Sequence, residues 1–223
     1  MSALRRATRA DLVGLPVDVA PRLLGAELIT TVDDAEVRLR ITEVEAYHGK
    51  GTGSLPDPGS HARMGRTARN ATMWGEPGHV YVYLSHGIHS CINIVCGTEG
   101  EAGGVLLRAG EIIGGVDVAS ARSGRTGRDL ARGPGRLGQV MGLRHPLHDG
   151  IDAITGIPQH GATAALLLGE PLAEIAAGPR VGVAGLAGTD AYPWRFWIPE
   201  DRTVSPFRWG RGAAEAAAAN AVR

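Results

Sequence analysis

Two carboxylates two residues apart, Glu43 and Glu45, lie in the stretch RLRITEVEAYHG (Arg38–Gly49), followed by the ring of Tyr47. A glutamate held in a protein interior is suited to taking a proton from a water molecule, provided that a cation or hydrogen-bond donor accompanies it. The setting of these two is unusual. Read as a strand, the stretch alternates, with Val37, Leu39 and Ile41 on one face and Arg38, Arg40 and Thr42 on the other. Continuing the apolar face in steps of two reaches Glu43, Glu45 and Tyr47, where a core is expected. A buried carboxylate is costly unless it is paired, hydrogen-bonded or protonated, so the pattern calls for partners.

Three further apolar strand patterns place a polar or aromatic group on a face that alternation would bury. These are Tyr83 in HVYVYLS, Asn93 in CINIV and Arg108 in VLLRAG. Each has a purely structural reading: Tyr83 as a core ring, Asn93 as a partner for a backbone group at a sheet edge, Arg108 as the cation that makes a buried glutamate tolerable. Together with Glu45 and Tyr47 they describe a pocket of one carboxylate, one guanidinium, two rings and an amide. Aromatic walls suit a flat heterocycle, and a glutamate beside an arginine suits activation of water.

The elements that must position these groups are legible in outline. Residues 8–25 read as a helix, with Thr8 or Asp11 as N-cap and Gly25 as stop. AELITTV and AEVRLRITEVEAY read as strands paired around Asp33-Asp34. Residues 48–75 form a long loop rich in Gly, Pro and Arg, and long loops in compact domains are usually functional. GHVYVYLSHGIHSCINIVC reads as a hairpin with His86-Gly87 at its tip, Val80, Val82 and Leu84 on one face, and Tyr81, Tyr83 and Ser85 on the other. GGVLLRAGEII is another strand, on which Leu106 and Arg108 share a face. Residues 119–140 turn helical, with a helix start after GPG. TAALLLG and RVGVAGLAG are short strands or loops, and residues 212–223 are an Ala-rich tail. No repeat or linker divides the chain. The expectation is one α+β domain over 1–223, a curved antiparallel sheet surrounded by helices with a protruding hairpin.

Composition narrows the function classes. With 223 residues and 43% hydrophobic residues, the chain supports one well-cored domain. No apolar run is long enough for a membrane span, and MSALRRATRADL lacks an apolar signal core, so a soluble cytoplasmic protein without membrane contacts is expected. Two cysteines, Cys91 and Cys96, give no disulfide framework and fit a reducing compartment. The 23 basic and 23 acidic residues cancel, yet all the basic residues except Lys50 are arginine. Arginines cluster in HARMGRTARN and in ARSGRTGRDLARGPGR, where interleaved Gly and Thr suit phosphate contacts.

TEVEAYHG, His61 with GRTARN, PGHVYVYLSHGIHSCINIV, GVLLRAG, ARGPGRLGQVMGL and RVGVAGLAGTDAYPWRFW occur in that order. In these blocks the chain resembles the alkyladenine (3-methyladenine) DNA glycosylase family, animal-type enzymes also found in bacteria, from about residue 10 to residue 205. The resemblance implies a monofunctional base-excision enzyme, without cofactor or metal, that acts on flipped-out damaged purines in DNA. It also implies a monomer associated with the bacterial nucleoid. Glu45 matches the family's general base, Arg108 its second water-positioning group, and the carbonyl of Val181 the third. Tyr47 and Tyr83 match the rings that sandwich the extruded purine, His61 completes that wall, and Asn93 matches the amide that crowds the amino group of normal guanine. Glu43 matches an acidic position with a supporting role. Arg66, Thr67, Arg69 and Arg136 fall in blocks expected against DNA. One departure stands out: the family has an aromatic, usually Tyr, before the Gly at the hairpin tip, whereas this chain has His86, with Ile88 beyond Gly87. Either could fill the gap left by the flipped base.

Two rivals remain on sequence alone. His79, His86, His89, Cys91 and Cys96 are near one another and could mark a zinc-dependent hydrolase, although their spacing fits no common zinc motif. A catalytically silent nucleic-acid binder could also use the same scaffold.

Overall fold

The computed structural model describes residues 4–221, so residues 1–3 and 222–223 at the ends of the expected domain lie outside the described residues. The strands are β1 (Arg5–Arg6), β2 (Glu27–Val32), β3 (Ala35–His48), β4 (His79–Ser85), β5 (His89–Val95), β6 (Gly103–Gly114), β7 (Ile151–Asp152), β8 (Ala162–Leu168), β9 (Ala176–Gly178) and β10 (Arg195–Trp197). The α-helices are α1 (Pro16–Val19), α2 (Val116–Ser123), α3 (Pro134–Met141) and α4 (Ala213–Ala221). All pairings are antiparallel, in the order β1-β8-β2-β3-β6-β5-β4-β7, with β10 bridging β3 and β9 off that path. The result is a single curled sheet with helices against it, the expected α+β class. Among the described residues no helix is long and apolar enough to cross a membrane.

Local chemistry explains the main turns. β2 and β3 are joined by Asp33 and Asp34 at φ 52 and 61, the left-handed pair that a tight two-residue hairpin requires. Helix α3 lies on β5 so closely that a side chain at Gly138 would collide with the Ser90 carbonyl. Residues 8–25 are not one helix. They form a 3-10 turn at Arg9–Leu12, then α1, then a 3-10 turn at Ala20–Leu23. Val13, in extended conformation, ends the first ahead of Gly14 at φ 135, and Pro16 and Pro21 open the others without an N–H to carry a longer ladder. The helical stretch at 119–140 likewise divides into α2, a 3-10 turn at Gly127–Asp129 and α3. RVGVAGLAG contains turns and the 3-10 turn Gly185–Gly188, and the Ala-rich tail is α4 with Ala213 buried.

β3 positions the chemistry, and it does so with an irregularity that period-two reading misses. Its first part pairs with β2 as far as Arg40; beyond Thr42 its edge partner becomes β10. At that changeover its register with β6 shifts twice, leaving Thr42 and, on the opposite strand, Arg108 out of the direct pairs. An extra residue in a strand reverses the faces beyond it. Val44 and Ala46 therefore join Val37, Leu39 and Ile41 in the main core, and Glu43, Glu45 and Tyr47 turn to the opposite face. The expectation that the two glutamates extend the core face is corrected accordingly. On β6 the core takes Val105 and Leu107, and on the hairpin it takes Val80, Val82, Ile92 and Ile94. The other face carries a small separate cluster of Ala62, Met73, Tyr81, Val95 and Ala102, beside which the site lies.

Candidate active site

Sheet register brings the site together. Tyr81 pairs with Asn93, Asn93 with Leu106, Leu106 with Glu45, and Glu45 with Arg195, one row across five strands. Tyr83 and Cys91 form the neighbouring pair. The face formed by these rows opens into a cleft of about 550 Å³. Glu45, Tyr47, His61, Tyr83, Asn93, Arg108 and Val181 all line it, with His86 at its edge. Sequence reasoning missed other lining groups, including Ser60, Met73 and Pro134. Only Pro134 carried a usable signal, as the first residue of a helix after a glycine.

Glu45 is fully buried, yet each oxygen has a donor. Oε1 accepts the Val181 backbone N–H at 2.7 Å, and Oε2 accepts the Tyr47 hydroxyl at 2.7 Å. Arg108 Nη1 lies 3.4 Å from Oε1. Two hydrogen bonds and a cation are the complement a buried anionic carboxylate needs. Burial pushes the Tyr47 phenol well above its ordinary pKa, and the Glu45 charge adds to the effect, so the phenol keeps its proton as a donor. Val181 thus meets Glu45 through its N–H, a contact that sequence reading of its carbonyl did not anticipate.

Glu43, equally buried, is fully engaged elsewhere. Its Oε1 accepts Arg195 Nε at 2.7 Å, Arg108 Nε at 3.1 Å and the Ser205 hydroxyl at 2.9 Å, while Oε2 accepts the Ser205 N–H at 2.7 Å. Arg108 therefore spans both glutamates with one planar fork. Burial works against its charge, but Glu45 and Glu43 more than offset this and raise its pKa. Arg195 and Ser205 are the network members that sequence reading missed, although Arg195 lies in the block YPWRFW.

A second buried pair supports the cleft from behind. Arg180 and Asp57, both wholly buried, form a bidentate pair at 2.8 and 2.7 Å. Asp57 also accepts the His48 and Gly59 amides, and Arg180 donates to the Ala46 and Ala187 carbonyls. The guanidinium lies 4.6 Å from the Tyr47 ring centre, so the loop ahead of Val181 and the Tyr47 wall share one anchor.

The opposite wall is Tyr83, met edge-on by His61 at 4.7 Å. Desolvation, helped by Arg69 and Arg63, pushes the His61 imidazole pKa down and favours an uncharged ring in the wall. The Asn93 amide nitrogen donates to the Tyr81 carbonyl at 3.0 Å, which fixes its orientation on the floor. The loop bearing His61 is folded by Asn70, whose amide nitrogen donates to the His61 and Gly65 carbonyls and whose oxygen accepts the Thr67 N–H.

The residues expected against DNA lie on the loop bearing His61, on α3 and at the hairpin tip. Arg66, Thr67 and Arg69 are exposed on the loop, and Arg69 donates to the Leu84 carbonyl of the hairpin. Arg136, on α3, is partly exposed and paired with Asp129 at 3.3 Å. The tip projects His86 at φ 50, then Gly87, then Ile88, which is 72% exposed. The zinc reading loses its geometric basis. Cys96 is in the main core and Cys91 in the cleft, His86 is at the tip, and among the described residues no three His, Cys, Asp or Glu groups converge.

Comparison with known proteins identifies the family. The family model of methylpurine-DNA glycosylase (MPG) matches residues 12–202. The chain belongs to this family. A relative from Streptomyces avermitilis is 50% identical over 196 residues, covering 86% of this chain and 87% of its own. One from Nocardia farcinica is 46% identical over 217 residues, covering 96% and 97%, and one from Leifsonia xyli is 48% identical over 198 residues, covering 86% and 88%. All three carry the name "Putative 3-methyladenine DNA glycosylase". Family membership makes the protein a DNA N-glycosylase, and DNA its substrate partner.

Proposed function

We propose that the protein is a monofunctional glycosylase. It hydrolyses the N-glycosidic bond of damaged purines of the 3-methyladenine, 7-methylguanine, hypoxanthine and ethenoadenine class, flipped out of duplex DNA. The observation that carries this reading is the convergence of Glu45, Arg108, Tyr47, Tyr83, His61, Asn93 and Val181 in one cleft from separated segments. A base stacked in a duplex is out of reach, so the enzyme must extrude it and fill the gap, here with His86 or Ile88 from the hairpin tip. The purine then stacks between Tyr47 and Tyr83. An uncharged His61 does not repel an alkylated, cationic base.

The C1′–N bond breaks with its electron pair leaving on the purine, which neutralises a cationic alkylated base and makes hypoxanthine or ethenoadenine an anion that must take up a proton, and positive charge grows on the sugar. The Glu45 carboxylate stabilises that charge and takes a proton from the attacking water, whose oxygen bonds to C1′. Arg108 and Val181 hold the water and the carboxylate in register, with Glu43 as anchor. Asn93 crowds the 2-amino group of undamaged guanine. Arg66, Thr67, Arg69 and Arg136 hold phosphates, Arg136 exchanging its Asp129 partner. The enzyme acts as a monomer in the cytoplasm, at the nucleoid.

Strand cleavage is not part of this reaction. A lyase needs an amine to form a Schiff base; besides the N-terminus, which lies outside the described residues, the chain offers only Lys50, which is exposed in the loop after β3 and is not among the residues lining the cleft. The test is excision from duplexes carrying each lesion, followed by borohydride treatment. Free base and an intact abasic strand are expected; no base release from any lesion, or a trapped protein–DNA adduct, contradicts the proposal.

A further inference from the structure

Residues 206–212 read PFRWGRG and lie beyond the residues 12–202 matched by the family model. Aromatic and cationic side chains alternate here, as Phe207, Arg208, Trp209 and Arg211. The segment is fastened to the loop that follows Val181. Gly182 N–H donates to the Arg208 carbonyl at 2.9 Å, and Gly185 N–H to the Arg211 carbonyl at 3.0 Å. Gly210 permits this approach, because a Cβ there would collide with the Val183 carbonyl. Gly182, Val183 and Ala184 themselves line the cleft, so the segment is the outer layer of its rim.

Backbone carbonyls make the attachment, and the side chains are left outward. Phe207 is 37% and Trp209 44% exposed, with their rings edge to face at 4.8 Å. Arg195 backs Phe207 at 6.0 Å, which leaves Trp209 as the outer ring. Arg208 and Arg211 are exposed, and among the described residues neither forms an ion pair. Arg5 and Arg136, by contrast, are paired with Asp11 and Asp129, whereas Arg66 and Arg69 on the loop bearing His61 are, like Arg208 and Arg211, exposed and outside the ion pairs of the described residues. Unneutralised guanidinium groups beside an exposed indole complement a partner that is anionic and presents flat faces.

We propose that Phe207–Arg211 is a second DNA contact, which grips the strand beside the flipped nucleotide. Arg208 and Arg211 meet phosphates, and Trp209 packs on an exposed sugar or base. Continuity with the cleft rim selects DNA over a protein partner, since a duplex that delivers a base to the cleft must cross this rim. Only that last step rests on the proposed glycosylase reaction.

The test is binding of undamaged and hypoxanthine-containing duplexes over a salt series. Each phosphate contact contributes about one unit to the slope of log affinity against log salt. The double substitution Arg208→Ala with Arg211→Ala should lower that slope by about 2, and the double Lys variant should retain it. Trp209→Ala should weaken binding by about fivefold to a hundredfold, the usual range for a lost stacking contact. Excision measured with enzyme saturating should stay at the wild-type rate, because the cleft is untouched. An unchanged slope, with affinities within twofold of wild type, overturns the proposal, and that is also the result if the segment serves a protein partner. Failure of the glycosylase reading looks different: wild type would then release no base, while its affinity for undamaged duplex would still depend on these side chains.

Discussion

The two parts of β3 are built from similar residues and serve opposite purposes. From Val37 to Ile41 the apolar side chains enter the core, and the charges between them, Arg38 and Arg40, are partly exposed and paired with Glu27, Glu36, Glu111 and Asp201. From Glu43 to Tyr47 the apolar residues Val44 and Ala46 still enter the core, but the charges on the other face are wholly buried. Position in the sheet makes the difference. Before Thr42 the outer face meets solvent, whereas after it β10, the 181–185 loop and the hairpin strands enclose it. The lesson is energetic. A charge on the first part is a matter of solubility, while a charge on the second must have a full set of partners or a function that justifies keeping it.

The largest effect expected from breaking this contrast is on stability, behind the second part. Asp57→Asn leaves Arg180 charged and buried without its anion, a loss of about 3–5 kcal/mol that should appear as a lower urea midpoint. On the first part, Arg38→Ala should cost less than about 1 kcal/mol by the same measurement, because its pairs with Glu27 and Glu36 are loose, at 3.7 Å, and its own side chain is partly in solvent.

Acid sensitivity should also belong to the second part. His48 ends β3 stacked on Trp194 at 4.5 Å, and among the described residues neither ring nitrogen has a hydrogen-bond partner. Burial, opposed by Asp57, pushes its pKa below the ordinary 6.5, so the unfolded chain binds the proton more readily. Stability is then full above that value and is lost as pH falls from about 7 towards 5. His48→Phe should flatten this part of the stability–pH curve; an unchanged slope would assign it to other groups, such as His61 and His148, whose pKa values burial also lowers.

A modest effect concerns selectivity. Asn93→Ser should raise guanine excision relative to hypoxanthine excision by about tenfold, equivalent to roughly 1.4 kcal/mol. The measurement is the ratio of the two single-turnover rates, and an unchanged ratio places discrimination elsewhere in the cleft.

The amino-acid sequence makes much of this molecule legible, though unevenly. The longer strands β2 to β6, the Asp33-Asp34 turn and the hairpin follow from alternation and turn chemistry, which are local properties, whereas the short strands β1, β7, β9 and β10 carry no such signal. The convergence of Glu45, Arg108, Tyr83 and Asn93 is signalled by each polar group interrupting an apolar pattern. Simple alternation misplaces the second face of β3 because the bulge comes from a change of neighbouring strand, which one strand's sequence does not encode. Arg195, Ser205 and Asp57 escape a sequence reading because their partners lie more than a hundred residues away in the chain, and nothing local marks an arginine or aspartate as buried. Phe207–Arg211 escapes it for a related reason: its meaning depends on its attachment to the 181–185 loop.

The most direct test compares the two adjacent glutamates, by single-turnover excision, lesion-duplex affinity and urea midpoint for Glu45→Gln and Glu43→Gln. Glu45→Gln should slow excision by at least about a hundredfold with affinity near wild type, since only the proton acceptor is lost. Glu43→Gln should lose mainly stability, because Arg108 and Arg195 are left buried without their shared anion. Excision by Glu45→Gln near the wild-type rate, or a folded Glu43→Gln that loses as much activity, would contradict the assignment of one carboxylate to chemistry and the other to its support.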